Sequence, residues 1–143
     1  MVIKNTSTLM AFEEDIHNRG FMDWLVAHTS FFKPLHRYEG ELSLLNDRIV
    51  FYGDDKKKKQ KYSLQINKKD VTDIFHGFDN VFKRGEDRAL GISFKPLRIN
   101  FIKNDSPTAI YLIIEFRRTL RTSNNKQCFT ELKQWLGKKE KKD

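Results

Sequence analysis

Residues 40–66 read GELSLLNDRIVFYGDDKKKKQKYSLQI, and this stretch decides the fold. Leu42 and Leu44 alternate with Glu41 and Ser43. Ile49 and Phe51 repeat the pattern, as do Tyr62, Leu64 and Ile66. Successive side chains of a strand point to opposite faces, so a two-residue apolar period predicts three antiparallel strands with one buried face each. Asn46 and Asp47 tolerate a positive φ and suit a two-residue hairpin turn between the first two. A polar loop over residues 53–61, carrying five lysines, joins the second strand to the third.

Downstream, residues 71–76 (VTDIFH) read as a fourth strand, and residues 77–90 as a long excursion with Gly77 and Gly85. Residues 91–102 give a strand pair or one bent strand, in which Pro96 belongs at an edge or a strand start. Residues 103–107 (KNDSP) are a turn signal leading into 109–116 (AIYLIIEF), the most apolar strand of the chain. After a loop that offers an N-cap, Cys128, Phe129, Leu132, Trp135 and Leu136 share one helical face, and Gly137 ends the helix. Upstream, residues 6–32 read as two amphipathic helical pieces. Leu9, Phe12 and Ile16 recur at helical spacing before Gly20, and Phe21, Trp24, Leu25 and His28 continue on a second piece that ends near Thr29 or Ser30, ahead of Lys33 and Pro34, where helix does not persist. The expected architecture is mainly β with α: a bent antiparallel sheet of six to seven strands, capped by its C-terminal helix. A helical N-terminal extension (1–36) precedes the domain (37–137), and a charged tail (138–143) follows.

The length of 143 residues suits one domain with a substantial core, and twelve phenylalanines argue for a packed chain. No apolar run reaches the about 18 residues of a membrane span, and the first residues lack a secretory layout. Cys128 stands alone, so no internal disulfide forms; together these features predict a reducing, cytoplasmic setting. Five of the eight excess positive charges fall in residues 54–61 and 138–143, one loop and one tail. The body of the domain is therefore only mildly basic. Aromatics on the apolar strand faces are needed as core, so nucleic acid ranks behind other partners.

The segment Gly40-Glu-Leu-Ser-Leu-Leu-Asn-Asp-Arg-Ile-Val-Phe51 resembles the G-x-L-x-L-T-x-x-R-hydrophobic-x-F opening of GRAM-like domains in the pleckstrin-homology superfold, with Asn46 where Thr is usual. The segment from Asp70 to Ile74 is similar to a later strand of that family, and the helix with Phe129, Leu132, Trp135 and Leu136 matches its capping helix. The resemblance covers residues 37–137. It implies a non-enzymatic binding or scaffolding module whose relatives bind phosphoinositides, other acidic lipids, or peptides along a sheet edge. Lipid-binding relatives hold the headgroup with basic residues in a roomy loop between the first two strands. Here that connection is the tight turn at residues 45–48, which leaves the usual headgroup site out, with residues 56–59 one loop later.

Two sets of candidate anionic-ligand residues stand out. Lys56, Lys57, Lys58, Lys59 and Lys61 offer about 1 kcal/mol each against acidic lipid, but the loop lacks an apolar anchor and reads first as a solvated tip. Arg117, Arg118 and Arg121 follow the apolar strand and offer guanidinium forks for phosphate or carboxylate, or pairs to nearby acids. Phe78 and Phe82, near Lys83, Arg84 and Arg88, read as core rather than as an insertion loop. Phe21, Trp24, Phe31 and Phe32 are the candidate partner interface, toward the sheet, another protein or a second copy. The four histidines show no ligand spacing, Glu13, Glu14 and Asp15 read as the polar side of a helix, and Cys128 reads as a packed thiol. No cofactor and no catalytic residue is expected. A protein partner is the first expectation, with peripheral attachment to acidic lipid as the alternative.

Overall fold

A computed structural model of the chain describes residues 3–17, 36–77, 79, 95–116 and 123–137. Among them are seven strands: β1 (Thr6–Phe12), β2 (Tyr38–Leu44), β3 (Arg48–Asp55), β4 (Gln60–Asn67), β5 (Val71–His76), β6 (Leu97–Lys103) and β7 (Ser106–Ile114). A short helix α1 (Glu13–His17) follows β1, a 3₁₀ turn (Lys68–Asp70) links β4 to β5, and helix α2 (Asn125–Gly137) comes last. All neighbouring strands are antiparallel, in the order β4-β3-β2-β1-β7-β6-β5, and the sheet curls into a half-barrel.

The three strands read from residues 40–66 are β2, β3 and β4, and their apolar period faces the concave side as expected. Leu42, Ile49, Phe51, Leu64 and Ile66 are all buried in one core. The helical N-terminal extension is not supported. Residues 6–12 form the central strand β1, and helix is confined to Glu13–His17 among the described residues. Spacing misled here because Leu9 and Phe12, three apart, also fit a helix. In the sheet they fall on opposite faces, with Leu9 beside Ile113 and Phe12 against the concave core. Leu, Met and Ala favour helix, so pairing on both sides of β1 overrides local propensity.

Turn chemistry also shifts. Asn46 and Asp47 do not take a positive φ; the turn closes with the Leu45 amide donating to the Arg48 carbonyl at 2.8 Å. Positive φ appears instead at Asn104 (50°) and Asp105 (63°), which make the tight two-residue turn between β6 and β7. Pro96 immediately precedes β6, so it costs the ladder no donor. Gly40 and Gly53 sit opposite each other in β2 and β3. A Cβ on Gly40 would come within 2.3 Å of the Tyr52 carbonyl oxygen, so the two backbones pass too closely for any other residue.

Helix α2 closes one end of the half-barrel. Cys128, Leu132 and Trp135 join the concave core, and the Trp135 Nε1–H donates to the Leu45 carbonyl at 2.6 Å. Its start is fixed by Asn125, a buried side chain that behaves like one more residue of a β-ladder. Asn125 Oδ1 accepts from the Ile114 amide at 2.7 Å, while Nδ2 donates to the carbonyls of Leu112 (3.0 Å) and Lys95 (2.8 Å). Replacing it leaves two buried backbone groups, the Ile114 amide and the Leu112 carbonyl, without this partner, each worth about 1–3 kcal/mol, and a third, part-buried one at Lys95. Asn125→Ala should therefore lose at least about 2 kcal/mol of stability in urea unfolding at unchanged m-value. Asn125→Asp, which cannot donate, should behave alike; a loss under about 0.5 kcal/mol in both would mean the docking of α2 does not depend on this amide.

Candidate functional site

Among the described residues, the other end of the half-barrel is open. The end of β1, helix α1, the start of β2, strands β4 and β5 and the β6–β7 hairpin surround a cleft with a cavity volume of about 770 Å³. It lies where the edge strands diverge, with Tyr62 of β4 on one side and Thr72 of β5 on the other. Phe12, Tyr38 and Phe101 supply aromatic surface, and Glu13, Glu14, Asp15, Arg37 and Lys103 supply the charge.

Arg37 organises this end. Its Nε and Nη2 make a fork on Asp55, at 3.1 Å to Oδ1 and 2.9 Å to Oδ2, while Nη1 donates to Asp15 Oδ1 at 2.7 Å. Asp15 Oδ2 in turn accepts from the Phe12 amide at 2.9 Å, which anchors α1 to the end of β1. Asp55 Oδ1 also accepts from the backbone amides of Lys57 (3.0 Å) and Lys58 (3.1 Å) and so shapes the β3–β4 turn. Burial alone would raise the Asp55 pKa, but Arg37 and the two amides outweigh it and hold the carboxylate below its ordinary range. The Arg37 pKa is raised, chiefly by Asp55.

The aromatic groups pack as a cluster. Phe12 meets Tyr38 edge-on at 5.9 Å and Tyr62 edge-on at 6.4 Å between centroids, while Tyr38 and Tyr62 lie 4.4 Å apart. Burial raises both tyrosine pKa values, and Asp15 raises them further. Lys103 reaches in from the end of β6, its Nζ 5.2 Å from the centre of the Phe12 ring.

The lysine loop is shorter than its sequence implied. β3 runs on to Asp55 and β4 starts at Gln60, so only residues 56–59 turn, with Lys59 at a positive φ of 54°. Lys56 pairs with Glu39 at 3.4 Å and Lys61 with Asp54 at 3.0 Å, both largely exposed pairs of modest worth. Lys57, Lys58 and Lys59 are exposed. Because β1 precedes β2, the tight turn at residues 45–48 is the second connection of the sheet and not the first. The first connection joins β1 to β2, and its described basic residue is Arg37, which is already held by two aspartates.

Other expected residues lie elsewhere. Phe21, Trp24, Phe31, Phe32, Arg117, Arg118 and Arg121 lie outside the described residues, as do Phe78, Phe82, Lys83, Arg84 and Arg88. Cys128 is buried in the core, and burial first, then Glu131 and Glu115, push its thiol pKa up to about 12. His76 packs on Phe129 at 5.7 Å, and its pKa is lowered by burial, Lys95 and Lys126. Among the described residues, no three or more His, Cys, Asp or Glu side chains are placed to hold a metal, and no helix is long and apolar enough to cross a membrane. Sequence reading missed Arg37, Asp55 and the aromatic cluster. Their one available signal was Asp55 at the foot of the lysine run, in a strand register that puts it on the concave face.

No family model, curated protein or solved structure matches the chain.

The lowered Asp55 pKa links this network to pH. Its stabilising contribution is complete above the unfolded value near 3.8 and is lost as pH falls through the depressed folded value. Asp55→Asn should cost at least about 1 kcal/mol at neutral pH and flatten the acid limb of stability against pH. Urea midpoints from about pH 7 down to about pH 3, the range that spans carboxylate titration, measure this. Parallel acid limbs for the two proteins would contradict it.

Proposed function

We propose that this chain is a non-enzymatic binding module of the pleckstrin-homology-like, GRAM-like kind, which recognises a protein partner at the open end of the half-barrel. The observation that carries this reading is the pairing of Arg37 with Asp15 and Asp55 beside a cleft rimmed by Glu13 and Glu14. A phosphate headgroup needs uncommitted guanidinium or ammonium groups converging on it. Here the arginine is already spoken for and the rim carries carboxylates, while the aromatic faces suit a partner's side chain. The strand order, with a closing C-terminal helix, supports the superfold that the 40–51 motif resembles.

Attachment to acidic membranes through residues 56–59 and Lys61 is the second reading, in a cytoplasmic or membrane-peripheral setting. The exposure of Lys57, Lys58 and Lys59 side by side, on a turn fixed by Asp55, favours it. Without an apolar anchor, such contacts are loose and sensitive to salt.

Two experiments separate the readings. Co-sedimentation with phosphatidylserine vesicles should show binding at low salt that disappears at physiological salt. Binding that persists there, and is lost when residues 56–59 are changed to Glu, would put the membrane first. For a partner protein, affinity capture with the wild type and with Glu14→Lys should recover a protein that the variant loses and that binds again as a purified pair. A recovered set that ignores Glu14→Lys would remove the cleft as the contact.

A further inference from the structure

The cleft already holds a cation. Lys103 is the exposed last residue of β6, next to the two-residue turn, yet its ammonium lies over the ring of Phe12 instead of extending into water. An ammonium over an aromatic face gains about 0.5–1 kcal/mol at an exposed site, from attraction to the electron-rich ring. Phe12 is held for this by edge-on contacts from Tyr38 and Tyr62, and the carboxylates of Glu13 and Glu14 line the same cavity. The positive charge of Arg37 is balanced inside the protein by two aspartates, so it does little to repel an incoming cation. Aromatic faces, acidic rim and a resident ammonium all point to one ligand charge.

We propose that the cleft receives a lysine side chain of a partner protein, whose ammonium takes the place over Phe12 that Lys103 holds in the free protein. This rests on the reading of the open end as a partner-binding site. A lysine fits because its methylene stem is apolar and its charge is compact. The stem can lie along Phe101, Pro107 and Ala109 while the ammonium reaches the ring and the rim. Lys103 then acts as a built-in competitor. Any incoming ammonium must displace it, which lowers affinity for isolated cations and favours a partner that also makes contacts outside the cleft. The exposed Lys57, Lys58 and Lys59 nearby would suit acidic residues flanking the inserted lysine, so the partner segment combines one lysine with neighbouring acids.

The test is a titration of the intact ¹⁵N-labelled chain, followed through backbone amide shifts. The probes are a short peptide with one lysine flanked by acids, the same peptide with that lysine Nε-acetylated, its Lys→Arg version, tetramethylammonium chloride and sodium phosphate. The expected result is saturable shifts at Phe12, Glu14, Tyr62 and Lys103 with the lysine peptide and none at these positions with the acetylated one. Lys103→Ala should tighten binding about two- to five-fold, the factor that corresponds to about 0.5–1 kcal/mol. Glu14→Gln should weaken it. Lys103 and Glu14 are exposed side chains, and an unchanged amide spectrum elsewhere verifies the fold of each variant. Equal binding of the acetylated peptide would overturn the proposal in favour of apolar fit. Equal binding of the arginine peptide or of tetramethylammonium would overturn the assignment to lysine. Binding of phosphate at the cleft, or Lys103→Ala without a gain, would overturn the cation site while leaving the open end as a binding site. Silence of the cleft toward every probe, with a captured partner indifferent to Glu14→Lys, would remove both readings.

Discussion

The sheet depends on one strand being hydrogen-bonded on both sides. β1 pairs with β2 from Thr6 to Met10 and with β7 from Thr8 to Phe12, and it alone joins β4-β3-β2 to β7-β6-β5. Without it the chain would hold two three-stranded halves, each with its apolar face half covered. The cost of placing Leu, Met and Ala in a strand is small beside the burial gained, about 1.5–3 kcal/mol for each large apolar side chain enclosed. Met10 shows this most directly, fully buried among the concave residues of both halves.

That construction makes the two ends unlike each other. At one, α2 brings Trp135 across to the Leu45 carbonyl and Asn125 continues the hydrogen bonding of β7, so the core is sealed by a helix. At the other, nothing comparable to α2 appears among the described residues, and charged groups order the rim. Arg37 ties α1, the start of β2 and the β3–β4 turn through two aspartates, so three segments distant in sequence share one guanidinium. Neutralising that guanidinium internally keeps the rim ordered and also decides which ligand charges it tolerates.

Much of the fold was legible because alternation is a strong signal where one face is buried. The strands over residues 40–66 carry it, and the closing helix carries the corresponding helical period through Cys128, Leu132 and Trp135. β1 carried no such signal, since both of its faces are buried and its apolar residues also fit a helical period. Without β1 in the count every connection shifts by one, so the tight turn at residues 45–48 reads as the first although it is the second. The candidate cleft was illegible for a related reason. Phe12, Tyr38, Tyr62 and Phe101 come from four different strands, and only the curl of the sheet brings them together. Arg37 and Asp55 are 18 residues apart and pair because of strand register, which no local pattern encodes.

The seam between β1 and β7 joins residue 8 to residue 114, whereas β2, β3 and β4 pair through short turns. Folding rates fall as contacts become more distant along the chain, because the intervening loop must be ordered before the contact repays it. The local hairpins can therefore form early, and the half-barrel waits for its most remote pairing. Until β7 arrives, β1 shows an unpaired edge rich in Leu, Met and Phe, open to any other extended chain. The strand that unites the finished sheet is thus the point at which an unfinished one is most exposed to mispairing and aggregation.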